Sequence, residues 1–132
     1  MLTSPELRSL HGLGFEIGAH TCSHPILTRQ DDATARRELA DGRGRLAQII
    51  GPAPRLFAYP NGKPGDDYDA RHVAMARELG FDAAVCTAWG AARRGDDPFQ
   101  MPRFTPWDAT PLRFHARLVA NLAPRDTRPA RV

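Results

Sequence analysis

Phe81-Asp82-Ala83-Ala84-Val85-Cys86-Thr87 is the stretch that decides the fold. It is a near-continuous apolar run that comes directly after Gly80. A strand apolar on both faces belongs to a sheet buried on both sides, and such sheets are parallel. Just before it, Asp69 to Leu79 predicts a helix, with Val73 and Ala76 or Arg77 near its inner edge and Gly80 as C-cap. Before that, Leu56 to Tyr59 is a short apolar run between Pro54 and Pro60, hence a second strand. Asn61 to Asp67 is rich in Gly, Pro and Asp and reads as an exposed loop.

Further out, Asp31 or Asp32 opens a long helix to about Ile50, and Gly51 stops it. Its inner stripe is Ala35, Leu39, Leu46 and Ile49 or Ile50. Gly42 and Gly44 weaken this helix by up to about 1 kcal/mol each. Phe15, Ile17 and Ala19 alternate with Glu16 and Gly18, which predicts a strand over 15–20. Thr3 or Ser4 caps a first helix that Gly12 ends, with Pro5 at its first position. Met101 to Phe104 predicts another strand. Thr110 caps a last helix, Pro111 to Leu122, whose inner positions are Leu112, His115 or Ala116, Val119 and Leu122. The alternation means βα units around a parallel sheet. A complete eightfold barrel takes about 200 residues at the least. This chain has 132, so it is a small open α/β sheet or part of a barrel.

Apolar residues make up 42% and charged residues 25%, which excludes a wholly disordered chain. No run approaches the roughly 18 unbroken apolar residues of a membrane span, and no secretory signal opens the chain as given. The net charge of +3 does not mark a nucleic-acid partner. Arg125, Arg128 and Arg131 face a single Asp126 in the tail; leaving these out, 15 basic residues face 14 acidic ones. The arginines are interleaved with acids rather than gathered in a stripe. Cys22 and Cys86 read as free thiols, because two cysteines make no disulfide framework. Residues 124–132 read as a disordered basic tail beyond a domain at 1–123.

His20-Thr21-Cys22-Ser23-His24 carries the chemistry. Two histidines lie four apart just past a predicted strand, and ligands of α/β proteins bind at the carboxyl ends of strands. Imidazole suits zinc, cobalt or nickel, and a hydrolytic site needs three protein ligands and an open position. Two unrelated surface histidines would give the same spacing. A strand running on to His24 would instead align His20, Cys22 and His24 in a soft structural site. Pro25 and the small polar residues favour a loop.

Glu16 to Pro25 resembles the metal-binding motif of the polysaccharide deacetylases, carbohydrate esterase family four with its NodB-homology domain. That motif runs H-[ST]-x-x-H after an apolar strand with a glycine. Met1 to Gly14 resembles the helix that precedes it. Phe57-Ala58-Tyr59-Pro60-Asn61-Gly62 is similar to the third motif of one branch. Gly80 to Thr87, Gly90 and Pro102-Arg103-Phe104 resemble the later segments of that same branch. The likeness covers roughly residues 3 to 122.

The resemblance implies a distorted (β/α) barrel of fewer than eight units and removal of N- or O-acetyl groups from a polysaccharide or oligosaccharide by a divalent-metal hydrolase, with zinc as the first choice of metal. It implies His20 and His24 as metal ligands. Thr21 would brace their loop or be an ordinary small loop residue. Tyr59 would give its backbone N–H to the oxyanion or serve as a plain strand aromatic. Pro60 would lie against the substrate. Trp89 and Trp107 would line a sugar groove or pack on the sheet. Arg103 would replace the arginine that the family has where Ala58 stands, or form a surface ion pair. The family's first motif, two aspartates that supply the base and the third ligand, has no counterpart here, so a truncated front and an inactive chain are expected. Asp31-Asp32 reads as a helix cap, and Asp66-Asp67 as a weak substitute for that pair. His115 lies inside a helix and is a poor match to the family's late general acid; His11 and His72 read as surface helix residues. The rival function is a non-catalytic remnant that binds carbohydrate or a partner. A missing front also predicts an exposed sheet edge open to self-association. Location stays open, since a signal would lie in that front.

Overall fold

The computed structural model describes residues 2–104 and 107–122. The tail expected at 124–132 lies outside them. Helix α1, Ser4–Gly12, begins at a capping box between Thr3 and Glu6. A 3₁₀ turn at Leu27–Arg29 leads into α2, Asp32–Ile50, whose N-cap Asp31 accepts the Thr34 N–H at 2.7 Å. Next come β1 Leu56–Ala58, α3 Ala70–Glu78, β2 Ala83–Cys86, β3 Met101–Pro102 and α4 Pro111–Leu122. The sheet order is β1-β2-β3, every pair parallel, with Phe57 beside Ala84 and Val85 beside Met101. The parallel, consecutive order is therefore as the sequence predicts.

The strand expected at 15–20 is reduced to one parallel bridge, Ala19 with Phe57. Ala19 donates to the Leu56 carbonyl at 2.8 Å and accepts from the Ala58 N–H at 2.9 Å. Phe15 is exposed, so the alternation there does not bury its first apolar residue. Leu39, Ala35, Phe57, Tyr59, Tyr68, Val73 and Cys86 form the centre of the core. Tyr59 and Tyr68 stack with centroids 3.8 Å apart. Both cysteines are free.

Two burial expectations are overturned. His72 is fully buried, not a surface residue. Its Nδ1 accepts the Asp69 N–H at 3.1 Å, closing a capping box at the start of α3, so the polar ring is drawn inward by the helix's own orphan amide. In α4 the face toward the body carries Phe114, Arg117 and Asn121, while Leu112, Val119 and Leu122 are exposed. Polar anchoring decides this orientation: Asn121 holds both the N–H and the carbonyl of Gly90, and Arg117 pairs with Asp108. No described helix is long and apolar enough to cross a membrane.

Candidate active site

The Ala19 bridge delivers His20 to the carboxyl end of β1. His20 Nδ1 lies 2.7 Å from the Ala58 carbonyl oxygen. A carbonyl only accepts, so Nδ1 carries the hydrogen and Nε2 keeps its lone pair. Burial pushes the His20 pKa down; the Ala58 carbonyl opposes this, while His24 and Arg103 add to it. The neutral ring, the form that ligates metals, is thereby favoured. The rings of His20 and His24 meet edge to face with centroids 4.8 Å apart.

The loop between them is tightly wound. Thr21 and His24 both have left-handed backbones, φ 60° and 58°. For a β-branched residue this is a costly conformation. The Thr21 hydroxyl donates to the His20 carbonyl at 2.6 Å and accepts the His24 N–H at 3.2 Å. On the far side Glu38 accepts from the amides of Cys22 and Ser23. Gly42 lies against Thr21, where a Cβ would come within 2.8 Å of its carbonyl. Sequence reasoning takes Gly42 only as a helix weakness and passes over Glu38. A glycine one turn beyond a glutamate, in a helix that comes after the histidines, is the signal available to it.

The donor chemistry fits a divalent cation as far as two imidazoles go. Among the described residues no three His, Cys, Asp or Glu side chains gather into a set that would hold a metal. His20, Cys22 and His24 do not gather into such a set. Asp31 and Asp32 serve the start of α2, Asp32 by pairing with Arg71. Asp66 pairs with Lys63, and Asp67 accepts the Lys63 N–H at 2.8 Å. His115 is exposed on α4 with its Nδ1 2.7 Å from the Pro111 carbonyl oxygen.

Two site expectations are corrected. The Tyr59 N–H donates to the Val85 carbonyl at 3.1 Å, so the sheet already uses it and it is not turned to an oxyanion. Its hydroxyl reaches the Phe99 carbonyl at 3.0 Å, a core bond that burial enforces. Pro60 is fully buried and is not a substrate-contact surface. By contrast, Trp89, Arg103, Phe104, Trp107, Arg117 and Asn121 share a cavity of about 360 Å³. Arg103 is the member of this lining whose charge also acts on His20, lowering its pKa.

The sequence pattern of the polysaccharide deacetylases matches residues 3–84. The chain belongs to the polysaccharide deacetylase family. The Streptococcus pyogenes deacetylase PplD, solved in complex with acetate, superposes with a TM-score of 0.77 at 21% identity, covering 93% of this chain and 51% of that one. IcaB from Ammonifex degensii gives a TM-score of 0.74 at 21% identity, with 93% and 54% covered. The BpsB deacetylase domain from Bordetella bronchiseptica gives 0.66 at 14% identity, with 78% and 48% covered. At these identities the likeness shows the fold, a partial α/β arrangement of the NodB type. The chain spans about half the length of these structures. No curated protein matches it.

Proposed function

We propose that this polysaccharide deacetylase domain serves metal-dependent removal of N- or O-acetyl groups from a polysaccharide or oligosaccharide. His20 and His24 supply the imidazole half of the metal site. The convergence of these two rings at the carboxyl end of β1, 4.8 Å apart, carries the reading. A bound divalent cation, zinc by imidazole preference with cobalt or nickel as alternatives, contributes a water nucleophile near neutral pH and polarises the acetyl carbonyl.

The chain's own residues bind and orient. The Ala58 carbonyl fixes the His20 tautomer and leaves Nε2 to face the cation. Thr21 holds the loop in its left-handed turn. Arg103, whose charge acts at His20, is suited to oxygen that becomes negative as the acetyl carbon is attacked. Trp89 and Trp107 present aromatic faces to sugar rings from the cavity they share with Arg103. The acetate in the S. pyogenes relative is the product such a reaction releases. Residues 1–123 act as the carboxyl-terminal portion of the deacetylase domain.

No third His, Cys, Asp or Glu joins the two histidines among the described residues. Two imidazoles hold a cation loosely, and a positioned base is worth about 10²–10⁴-fold. The 132 residues by themselves therefore release no acetate from acetylated chitooligosaccharides or peptidoglycan with zinc or cobalt added. Joining an upstream strand that ends in two aspartates creates activity that His20→Ala and His24→Ala abolish. Ordinary turnover by the 132 residues alone would overturn the two-ligand argument. One observation favours a second reading, a non-catalytic carbohydrate- or partner-binding domain: the lack of a three-donor cluster among the described residues. Sugar binding without activity in the extended chain would decide for it.

A further inference from the structure

Glu38 sits one turn before Gly42 on α2, and both meet the histidine loop. Its Oε2 accepts the amides of Cys22 and Ser23, each at 2.9 Å, and its Oε1 accepts the Ser23 hydroxyl at 2.8 Å. Two successive amides aimed at one anion form a nest, a concave backbone site for negative charge. The two amides directly follow a left-handed Thr21, and the chain leaves them through a left-handed His24. Each such residue costs on the order of 1–3 kcal/mol and persists only where its surroundings over-determine it. Gly42 allows the necessary closeness, since any Cβ there would strike the Thr21 carbonyl. Burial raises the Glu38 pKa, but the bonds from Ser23 and Cys22 outweigh it and hold the carboxyl below its ordinary value, ionised at neutral pH.

We infer that Glu38 is a positioning residue for the metal pair: it clamps the backbone between His20 and His24 so that the two rings converge. It acts through the Cys22 and Ser23 amides and not through the imidazoles. The inference rests on the reading of His20 and His24 as metal ligands.

The test titrates the full chain with Zn²⁺ and with Co²⁺ alone. The same samples are followed by NMR for the Cys22 and Ser23 amides and for scalar couplings that report φ at Thr21 and His24. The variants are Glu38→Ala, Glu38→Gln and Arg36→Ala; the last breaks only the exposed pair with Glu78 on α3. Glu38→Ala weakens metal binding by about 10–100-fold, the usual loss when a group that orients ligands is removed. Glu38→Gln, with one acceptor oxygen left, falls between, and Arg36→Ala binds as the parent does. In Glu38→Ala the Thr21 and His24 couplings leave their left-handed values while the signals of the Tyr59–Tyr68 core stay in place. Metal binding within twofold of the parent, or an unchanged loop, overturns the inference. If the parent itself binds neither metal, the ligand reading fails, and the loop couplings alone decide for or against Glu38.

Discussion

The histidine loop and helix α4 are built in opposite ways. The loop is held from three sides, by the Ala58 carbonyl, by the Thr21 hydroxyl within it, and by Glu38 and Gly42 of α2. Its carrier helix buries Ala35, Leu39 and Gly42 on one face. Helix α4 instead turns Leu112, Val119 and Leu122 to solvent and attaches through Asn121 and Arg117. Close packing resists displacement steeply, because every shift meets atoms. A few polar anchors fix an orientation but bury little apolar area. The difference places geometric accuracy at the loop that carries the two histidine rings, and leaves the cavity wall attached by point contacts.

The comparison breaks first at leucine. Leu39→Ala removes a fully buried side chain beside Glu38 and costs about 2–5 kcal/mol. Leu112→Ala on α4, where the side chain is 81% exposed, stays within about 0.5 kcal/mol. Urea unfolding of both variants checks this, and equal losses would erase the distinction between the two regions.

A finer contrast lies within α2. Gly42→Ala forces a methyl group against the Thr21 backbone, an overpacking worth about 1–3 kcal/mol. Gly44→Ala meets nothing within 4 Å and gains up to about 1 kcal/mol of helix propensity. Thermal melts of the two single variants should move in opposite directions. A shared direction would mean that helix propensity, not loop contact, governs position 42.

The smallest expected effect is a pH slope. Burial lowers the His72 pKa below its ordinary 6.5, against the opposing pull of Asp69. The unfolded chain then takes up a proton that the folded chain refuses. Stability is fully present above 6.5 and declines as pH falls from there toward the folded value. His20 is shifted in the same direction and adds to the slope. His72→Gln, which retains an acceptor for the Asp69 amide, flattens the fall in urea midpoint between about pH 7 and 5. A slope unchanged in that variant would assign the whole effect elsewhere.

Local rules make much of the molecule legible. Asp31 and Asp69 mark helix starts because a short polar side chain can reach its own first-turn amides, and Thr3 does so because the Glu6 carboxylate reaches back to its N–H. Gly51, with φ 95°, marks the end of α2 because few other residues adopt that backbone. The parallel order comes from apolar strands alternating with amphipathic helices. The His20–His24 spacing past a predicted strand singles out the loop that the Ala58 carbonyl, Glu38 and Gly42 hold.

The sequence alone carried the helices, the parallel strands β1 to β3 and the family, through contacts a few residues apart or a motif, but not the strand expected at 15–20, which is a single bridge. The tertiary structure alone decided that the Tyr59 amide belongs to β2 through Val85, that Pro60 is covered, that His72 is inside and that α4 faces outward with its leucines. It alone showed Glu38 and Gly42 to be partners of a loop that Glu38 reaches across 16 residues of chain. The physical reason is the same in each case. Which acceptor an amide finds, and which face of a helix is covered, depends on groups distant in sequence whose approach is set by packing, and periodicity carries no record of that approach.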